Sequence, residues 1–455
     1  MSRLPAPRAL LRDFILPAAW LLALAVSIVA GVTLVPFHGD EVNQIYGSRD
    51  FATLFVQGRP QDLLIKSLEE TPDAVLRLQH GSVGRYSVGW ALYSAGLLQN
   101  HLLPPSGYQW TQRYGDNVNQ GIRPSSAVLH RARIPSALFL AASVAWMFGL
   151  GNLVGGSGMA YVASGLVAVN PVVLLNGRRA MQEGSLLCFG LLTVLIAAII
   201  SQKRAAGERV SWRWWLGLVV AAGLALASKN TAVLYVAAAL GWILAADVLR
   251  RDWRGALRTG ARLALVSGLA IGLWLALSPG MWNEPLDRLR DLVSVRADHM
   301  GRQVRGVNNG ASPLTDRLAH LVTEPFIAPP SHYEVQAWDR LEPIQREIAA
   351  YMASPLSGVQ FGAFGGMLLT FCAGLGAVVG FAPRLRPPVP PVHYAGLLLW
   401  LAVNAVVLML NPLPWQRYFL PLIPVVTLLA GVGAWALLRQ SRGFAVDRGA
   451  ARAAA

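Results

Sequence analysis

The sequence predicts an all-α, polytopic membrane protein, and three observations predict it. The chain is 54% hydrophobic and 14% charged, where soluble domains carry about 25% charged residues. Ten apolar stretches approach the ~20 residues that a bilayer-crossing helix needs. One choice of direction then puts every short basic connection on the same side of the membrane.

The first stretch, 14–36, follows Arg3, Arg8 and Arg12 and lacks a convincing small-residue cleavage site. It reads as an uncleaved span that starts inside. The others lie at 132–152, 157–175, 184–201, 214–228, 231–248, 262–279, 358–381, 393–411 and 416–438. The stretch 86–103 is shorter and ends in Gln99, Asn100 and His101. If it does not cross, 202–213, 249–261, 382–392 and the C-terminal tail all share the side of the N-terminus. These connections hold Lys203, Arg204, Arg209 and Arg213; Arg250, Arg251, Arg254 and Arg258; Arg384 and Arg386; and Arg439, Arg442, Arg448 and Arg452. If it crosses, they flip outside. The stretch 86–103 is therefore read as an interfacial helix on the outer surface. The chain, 1–455, becomes one membrane domain with both termini cytoplasmic and two large outer segments, 37–131 and 280–357. Segments of that length are too long to be simple connections. Helical patches are expected from Leu286 to Arg305 and from Tyr333 to Met352.

The net charge of +15 comes almost wholly from Arg, with only three Lys. Cytoplasmic loops that face anionic membrane lipids explain it better than nucleic acid does. Cys188 and Cys372 lie in apolar runs, so no disulfide framework or Cys-rich metal site is expected. His38, His80, His299, His320 and His332 all fall outside, but their spacing matches no ligand pattern. No cofactor is assigned, and a divalent metal stays open. High Arg and Ala with low Lys hint at a GC-rich bacterial genome, hence a bacterial inner membrane.

Four polar clusters reach the same outer membrane depth: Asp40 and Glu41; Arg178, Arg179, Gln182 and Glu183; Ser228, Lys229 and Asn230; Trp415, Gln416, Arg417 and Tyr418. Ionisable groups at membrane helix ends are costly and point to function. Lys229 stands between apolar runs on the side that the positive-inside bias disfavours. Two cations suit a lipid phosphate, and a carboxylate can take a proton from an attacking group. The aromatics from Tyr108 to Tyr114 either stack on sugar or sit at headgroup level.

Several of these residues fall in runs that resemble a known family. Phe37-His38-Gly39-Asp40-Glu41, continuing to Tyr46 and Arg49, is similar to a first-loop Asp-Glu motif. Arg133 to Leu138, Asn170-Pro171 with Arg178 to Glu183, Ser228 to Thr231, Ser278 to Pro285 (with Trp282 and Glu284) and Arg417 to Pro421 follow in the family's order. Together they resemble the GT-C glycosyltransferases of family 39, the protein O-mannosyltransferase and aminoarabinose-transferase type. The second-loop acid is Glu183 where that family more often has Asp, and no MIR-like insert is visible in 280–357.

The resemblance implies a GT-C fold, a polyprenyl-phosphate-linked sugar as donor, and inversion at the anomeric carbon. Asp40 would be the general base, Glu41 its neighbour and Glu183 the second acidic group. Lys229 and Arg417, next to Tyr418, would hold the donor phosphate, with Arg178 or Arg179 assisting. The acceptor would be a protein, a lipid or a polysaccharide, met on the periplasmic side. Two other readings stay open. A transporter or flippase would also carry charges among its spans, but here they sit at helix ends on one face and no repeat is apparent. A lipid-linked glycan polymerase or ligase would share the outer site.

Overall fold

The structure is a computed structural model that describes residues 14–68, 72–105, 107–108, 114–306, 311–334, 338–382 and 389–453. Among these residues every regular element is helical. In chain order the helices are α1 Leu16–Ala30, α2 Asp40–Gly47, α3 Pro72–Gln79, α4 Ser82–Ser94, α5 Tyr114–Asn119, α6 Ser126–Val169, α7 Pro171–Arg178, α8 Glu183–Ala205 and α9 Trp212–Ser228. They continue with α10 Val233–Leu249, α11 Trp253–Ala276, α12 Pro285–Gly306, α13 Leu314–Thr323, α14 Glu342–Ala353, α15 Gly362–Val378, α16 Pro391–Leu410 and α17 Ile423–Ala453.

Among the described residues, seven helical stretches are long and apolar enough to cross a membrane, with Trp212–Ser228 and Ile423–Arg439 as shorter apolar helices. All ten predicted stretches overlap these segments. Two of them share α6, which is broken by Gly155 (φ −147°) and Gly156 (φ +79°, ψ −170°). A Cβ built on Gly151 would lie 2.7 Å from the Ala160 Cα. In a straight helix those residues would be ~13 Å apart along the axis. The chain therefore folds back at the glycine pair, and only glycine tolerates the Gly156 dihedrals.

Large side chains on α6, α8, α10, α16 and α17 fill the core, among them Leu140, Met147, Leu191, Trp242, Trp400 and Leu428. Small residues let the backbones meet. A Cβ on Gly376 of α15 would come within 1.9 Å of the Leu429 carbonyl, and one on Gly433 of α17 within 1.9 Å of the Cys372 carbonyl. This is the close small-residue contact by which membrane helices pack when burial from water gives no drive. Cys188 and Cys372 are both free and buried.

The outer segments correct several boundaries. The helix expected over 86–103 runs from Ser82 to Ser94, and 95–103 is a series of turns and irregular chain. Thirteen residues extend ~20 Å, short of the ~30 Å hydrocarbon core, so α4 cannot span. It packs on α6 and leaves Trp90 and Tyr93 exposed. The patch at Leu286 to Arg305 is α12, whereas the described helix within Tyr333 to Met352 is α14, which starts at Glu342. Residues 109–113, 335–337, Arg384 and Arg386 lie outside the described residues, as do Arg3, Arg8 and Arg12.

Candidate active site

Asp40 and Glu41 are the first two residues of α2. Neighbours on a helix point ~100° apart, so the two carboxylates go to different places. Glu41 is fully buried and takes the Arg133 guanidinium in a fork, Nε to Oε2 and Nη2 to Oε1, both at 2.7 Å. It also accepts the backbone N–H groups of His38 (3.0 Å) and Ala180 (2.9 Å). Burial pushes its carboxyl up, but Arg133 outweighs this and holds it below the usual range. Glu41 therefore ties α2 to α6 and to the chain after α7. It does not line the cavity, so the acidic pair expected at one place is divided between the cavity and a buried tie.

Asp40 opens instead into a cavity of about 510 Å³. Its Oδ2 accepts from Arg417 Nη1 at 2.5 Å, and 32% of its side chain is exposed there. Arg417 Nε also pairs with Glu334 Oε1 at 3.0 Å. Glu334 Oε2 lies 2.9 Å from His38 Nε2, and His38 Nδ1 accepts the Asp40 backbone N–H at 3.1 Å. Because Nδ1 accepts, Nε2 carries the proton that goes to Glu334. Asp40, Arg417, Glu334 and His38 thus close a circuit. Burial alone would raise the Asp40 carboxyl; Arg417 and His38 hold it well below the usual carboxylate range. Glu334 is likewise brought to about 2 by Arg417 and His38 against the opposing effect of burial. Arg417, in spite of burial, is raised by Glu334 and Asp40.

A second pair stands across the cavity. Lys229 follows the last residue of α9 in an extended conformation (φ −163°), and its Nζ donates to Glu183 Oε1 at 2.6 Å. Glu183 opens α8, where the helix N-terminus also favours a carboxylate. The Tyr418 ring lies 6.0 Å from Lys229 Nζ and stacks on Trp415 (5.6 Å, 19°). Arg296 of α12 donates to the Tyr418 hydroxyl at 3.1 Å. Two carboxylate–cation pairs drawn from both ends of the sequence thus face one space. The arrangement can hold a phosphate between fixed cations and place a carboxylate beside it. Among the described residues no group of three or more His, Cys, Asp or Glu is arranged to hold a metal.

One family model, described as dolichyl-phosphate-mannose-protein mannosyltransferase, matches residues 125–282. ArnT from Cupriavidus metallidurans bound to undecaprenyl phosphate aligns at TM-score 0.51 and 14% identity, covering 95% of this chain and 63% of that one. The archaeal oligosaccharyltransferase AglB from Archaeoglobus fulgidus, in complex with an inhibitory peptide and a dolichol-phosphate, aligns at 0.50 and 12%, covering 95% and 52%. The chain has the GT-C fold. It spans less than two thirds of the length of either structure. A comparison with curated proteins finds no match.

Within this GT-C fold, Asp40, Glu183, Lys229, Arg417 and Tyr418 line the same cavity. Arg178 and Arg179 do not. Arg178 donates Nε to the Ile28 carbonyl (2.8 Å) and Nη2 to the Ser27 carbonyl (2.9 Å), which are end groups of α1. Arg179 donates to the carbonyls of Pro36 (3.3 Å) and His332 (2.9 Å). Both arginines are buried and donate to backbone carbonyls, so the structure does not bring them to the cavity where they were expected. Trp282 donates to the Leu275 carbonyl (2.9 Å) and Glu284 pairs with Arg288 (2.6 Å); neither lines the cavity.

Sequence reasoning missed Glu334, Arg296 and the place of His80 and His299 on the cavity wall. One signal was available. Arg296, His299 and Gln303 recur at i, i+3 and i+7, one polar stripe on α12. Glu334 had no local signal, because only the tertiary fold brings it to Arg417.

Proposed function

We propose that this chain is an inverting glycosyltransferase that moves a sugar from a polyprenyl-phosphate donor to an acceptor at the outer face of a bacterial inner membrane. The observation that carries the reading is the 2.5 Å contact between Asp40 and Arg417 in the same cavity as the Lys229–Glu183 pair. The undecaprenyl phosphate and dolichol-phosphate in the two structures that share the fold support a lipid-phosphate donor here. The Arg-rich connections on one side of the apolar helices support cytoplasmic termini and an outer site.

The chemistry asks for a base and for cations. An acceptor hydroxyl attacks the anomeric carbon from the face opposite the phosphate, the bond from that carbon to the phosphate oxygen breaks, and the configuration inverts. The hydroxyl proton passes to Asp40, and polyprenyl phosphate leaves with both bonding electrons. Lys229 and Arg417 meet the charge that grows on the phosphate, so no strong general acid is needed. Tyr418 and Arg296 border the same place.

The resting site is self-neutralised. Arg417 serves Asp40 and Glu334, and Lys229 serves Glu183. An entering phosphate competes for those cations. As Arg417 turns to it, Asp40 loses its counter-charge, and burial raises its basicity. Donor binding thereby readies the base. Glu183, released from Lys229, is placed to orient the acceptor, which is a protein, lipid or polysaccharide hydroxyl or amine.

The test is turnover of purified protein against a panel of radiolabelled polyprenyl-phosphate sugars. The proposal expects one donor to be consumed, with polyprenyl phosphate released. Consumption of none, alongside passage of a lipid-linked solute across sealed vesicles, would replace it with the transporter reading.

A further inference from the structure

Among the described residues, three carboxylates line the cavity: Asp40, Glu183 and Glu334. In the transferase reading Asp40 is the base, and Glu183 has Lys229 as its own cation. Glu334 has neither part. It shares Arg417 with Asp40, at 3.0 Å and 2.5 Å, so two carboxylates flank one guanidinium. Against the opposing effect of burial, Arg417 and His38 keep Glu334 ionised. A negative charge where a phosphate is to bind carries two costs. It gives up hydration, and it repels the ligand.

The fold nevertheless holds Glu334 in place from several sides. It ends the strap 329–334. The Gln416 side chain clamps the start of that strap, accepting the Ser331 N–H at 2.6 Å and donating to the Pro329 carbonyl at 3.0 Å. Arg179 donates to the His332 carbonyl at 2.9 Å. The Tyr333 hydroxyl donates to the Phe37 carbonyl, and its ring stacks on His38 (5.6 Å, 11°). The carboxylate then takes His38 Nε2 on one oxygen and Arg417 Nε on the other. A guanidinium has five N–H donors in a fixed plane. Arg417 can therefore keep Glu334 through Nε while its Nη edge exchanges Asp40 for a phosphate.

The charge on the lipid phosphate changes during transfer. The sugar-bearing donor is a phosphodiester with one negative charge. The spent carrier is a phosphate monoester, which carries between one and two at neutral pH. The cations that stabilise the leaving group would therefore grip the product harder than the donor. Glu334 opposes that grip, and its repulsion grows with the charge of the ligand.

We infer that Glu334 is a positioning residue that pivots Arg417 and, as a competing counter-ion, loosens the spent polyprenyl phosphate so that it can leave. Once Asp40 has passed the acceptor proton to water, Asp40 and Glu334 together recapture Arg417 and restore the resting circuit. The inference rests on the transferase reading and adds product release to it.

The test is calorimetric binding of undecaprenyl phosphate, and of its methyl diester as the singly charged stand-in for a donor, to full-length protein in detergent. Glu334→Gln keeps an acceptor for His38 and removes the charge. It should bind the monoester about tenfold more tightly than wild type and the diester about threefold, the scale of one like charge removed at close range. Gln416 does not line the cavity. Gln416→Ala, which frees the strap, should shift binding in the same direction by less. With the donor that wild type consumes, undecaprenyl phosphate should inhibit Glu334→Gln at about a tenth of the concentration. A residue that only braces Arg417 would give the opposite sign, weaker binding of both lipids. The two variants lie on different segments, so misfolding of one, seen in its melting curve, leaves the other to decide. Unchanged or weaker monoester binding by a folded variant overturns the inference alone. Failure of wild type to bind either lipid overturns the transferase reading and the inference with it.

Discussion

Arg417 Nη1 lies 2.5 Å from Asp40 Oδ2, joining two residues 377 positions apart in the chain. The contact brings the start of α2 against the short turn before α17, and it makes the proposed base and the proposed phosphate-binding cation one unit. Arg417→Ala should weaken donor binding roughly 10- to 100-fold, as loss of a charge-assisted hydrogen bond does. It should also move the acid limb of the rate profile to higher pH. Asp40 acts only when ionised, and without Arg417 the effect of burial, which raises its pKa, dominates. A pH–rate series on both proteins checks this. An unmoved limb would mean that Asp40 is not the titrating base.

Glu41 and Arg133 are 0% and 1% exposed, and their fork is buried on all sides. Breaking one half leaves an uncompensated charge, which costs about 3–5 kcal/mol. Glu41→Ala and Arg133→Ala should therefore unfold in detergent at markedly lower temperature than wild type. The double change Glu41→Gln with Arg133→Met should recover part of that loss. Recovery of transfer activity by this double variant would place Glu41 outside the chemistry.

His80 and His332 are both shifted down to about 4, by burial first and then by neighbouring cations, Arg85 and Lys229 for the one and Arg179 for the other. Unfolded histidine titrates near ~6.5. Their neutral burial therefore gives full stability above that value, and stability is lost as pH falls from there towards 4. Melting temperatures should drop between about pH 7 and pH 5, and His332→Leu should flatten the slope. A pH-independent melting temperature in the wild type would contradict this.

Gly396 of α16 faces Trp242 of α10 so closely that a Cβ there would lie 2.0 Å from the indole. Gly396→Ala should destabilise by about 1–3 kcal/mol through overpacking, with donor binding unchanged once folded. Thermal unfolding and donor competition on the same sample separate the two effects.

The fold was legible because its signal is local. Apolar runs of crossing length predict the helices without knowledge of any contact, and the gap left between 132–152 and 157–175 is where the Gly155–Gly156 break falls. Asp40, Lys229 and Arg417 were legible as charges stranded at apolar helix ends, where a random sequence rarely puts them. Arg178 and Arg179 carry the same signal and yet turn to the carbonyls of Ser27, Ile28, Pro36 and His332. Position along a helix says how deep a residue lies, not which way its side chain leaves. Glu334, His80 and Arg296 sit among ordinary polar neighbours in long outer segments. Only the packing of α2, α3, α12 and the turn at Arg417 gives them a common space.

The central claim is that Asp40 takes the acceptor proton while Lys229 and Arg417 hold the phosphate. Its most direct test is single-turnover release of polyprenyl phosphate from the donor that wild type consumes, measured beside Asp40→Asn. The account predicts that the variant binds donor at least as tightly, since Arg417 is freed, and releases product at least ~100-fold more slowly, the low end for loss of a general base. Release by a folded Asp40→Asn protein at the wild-type rate would contradict it.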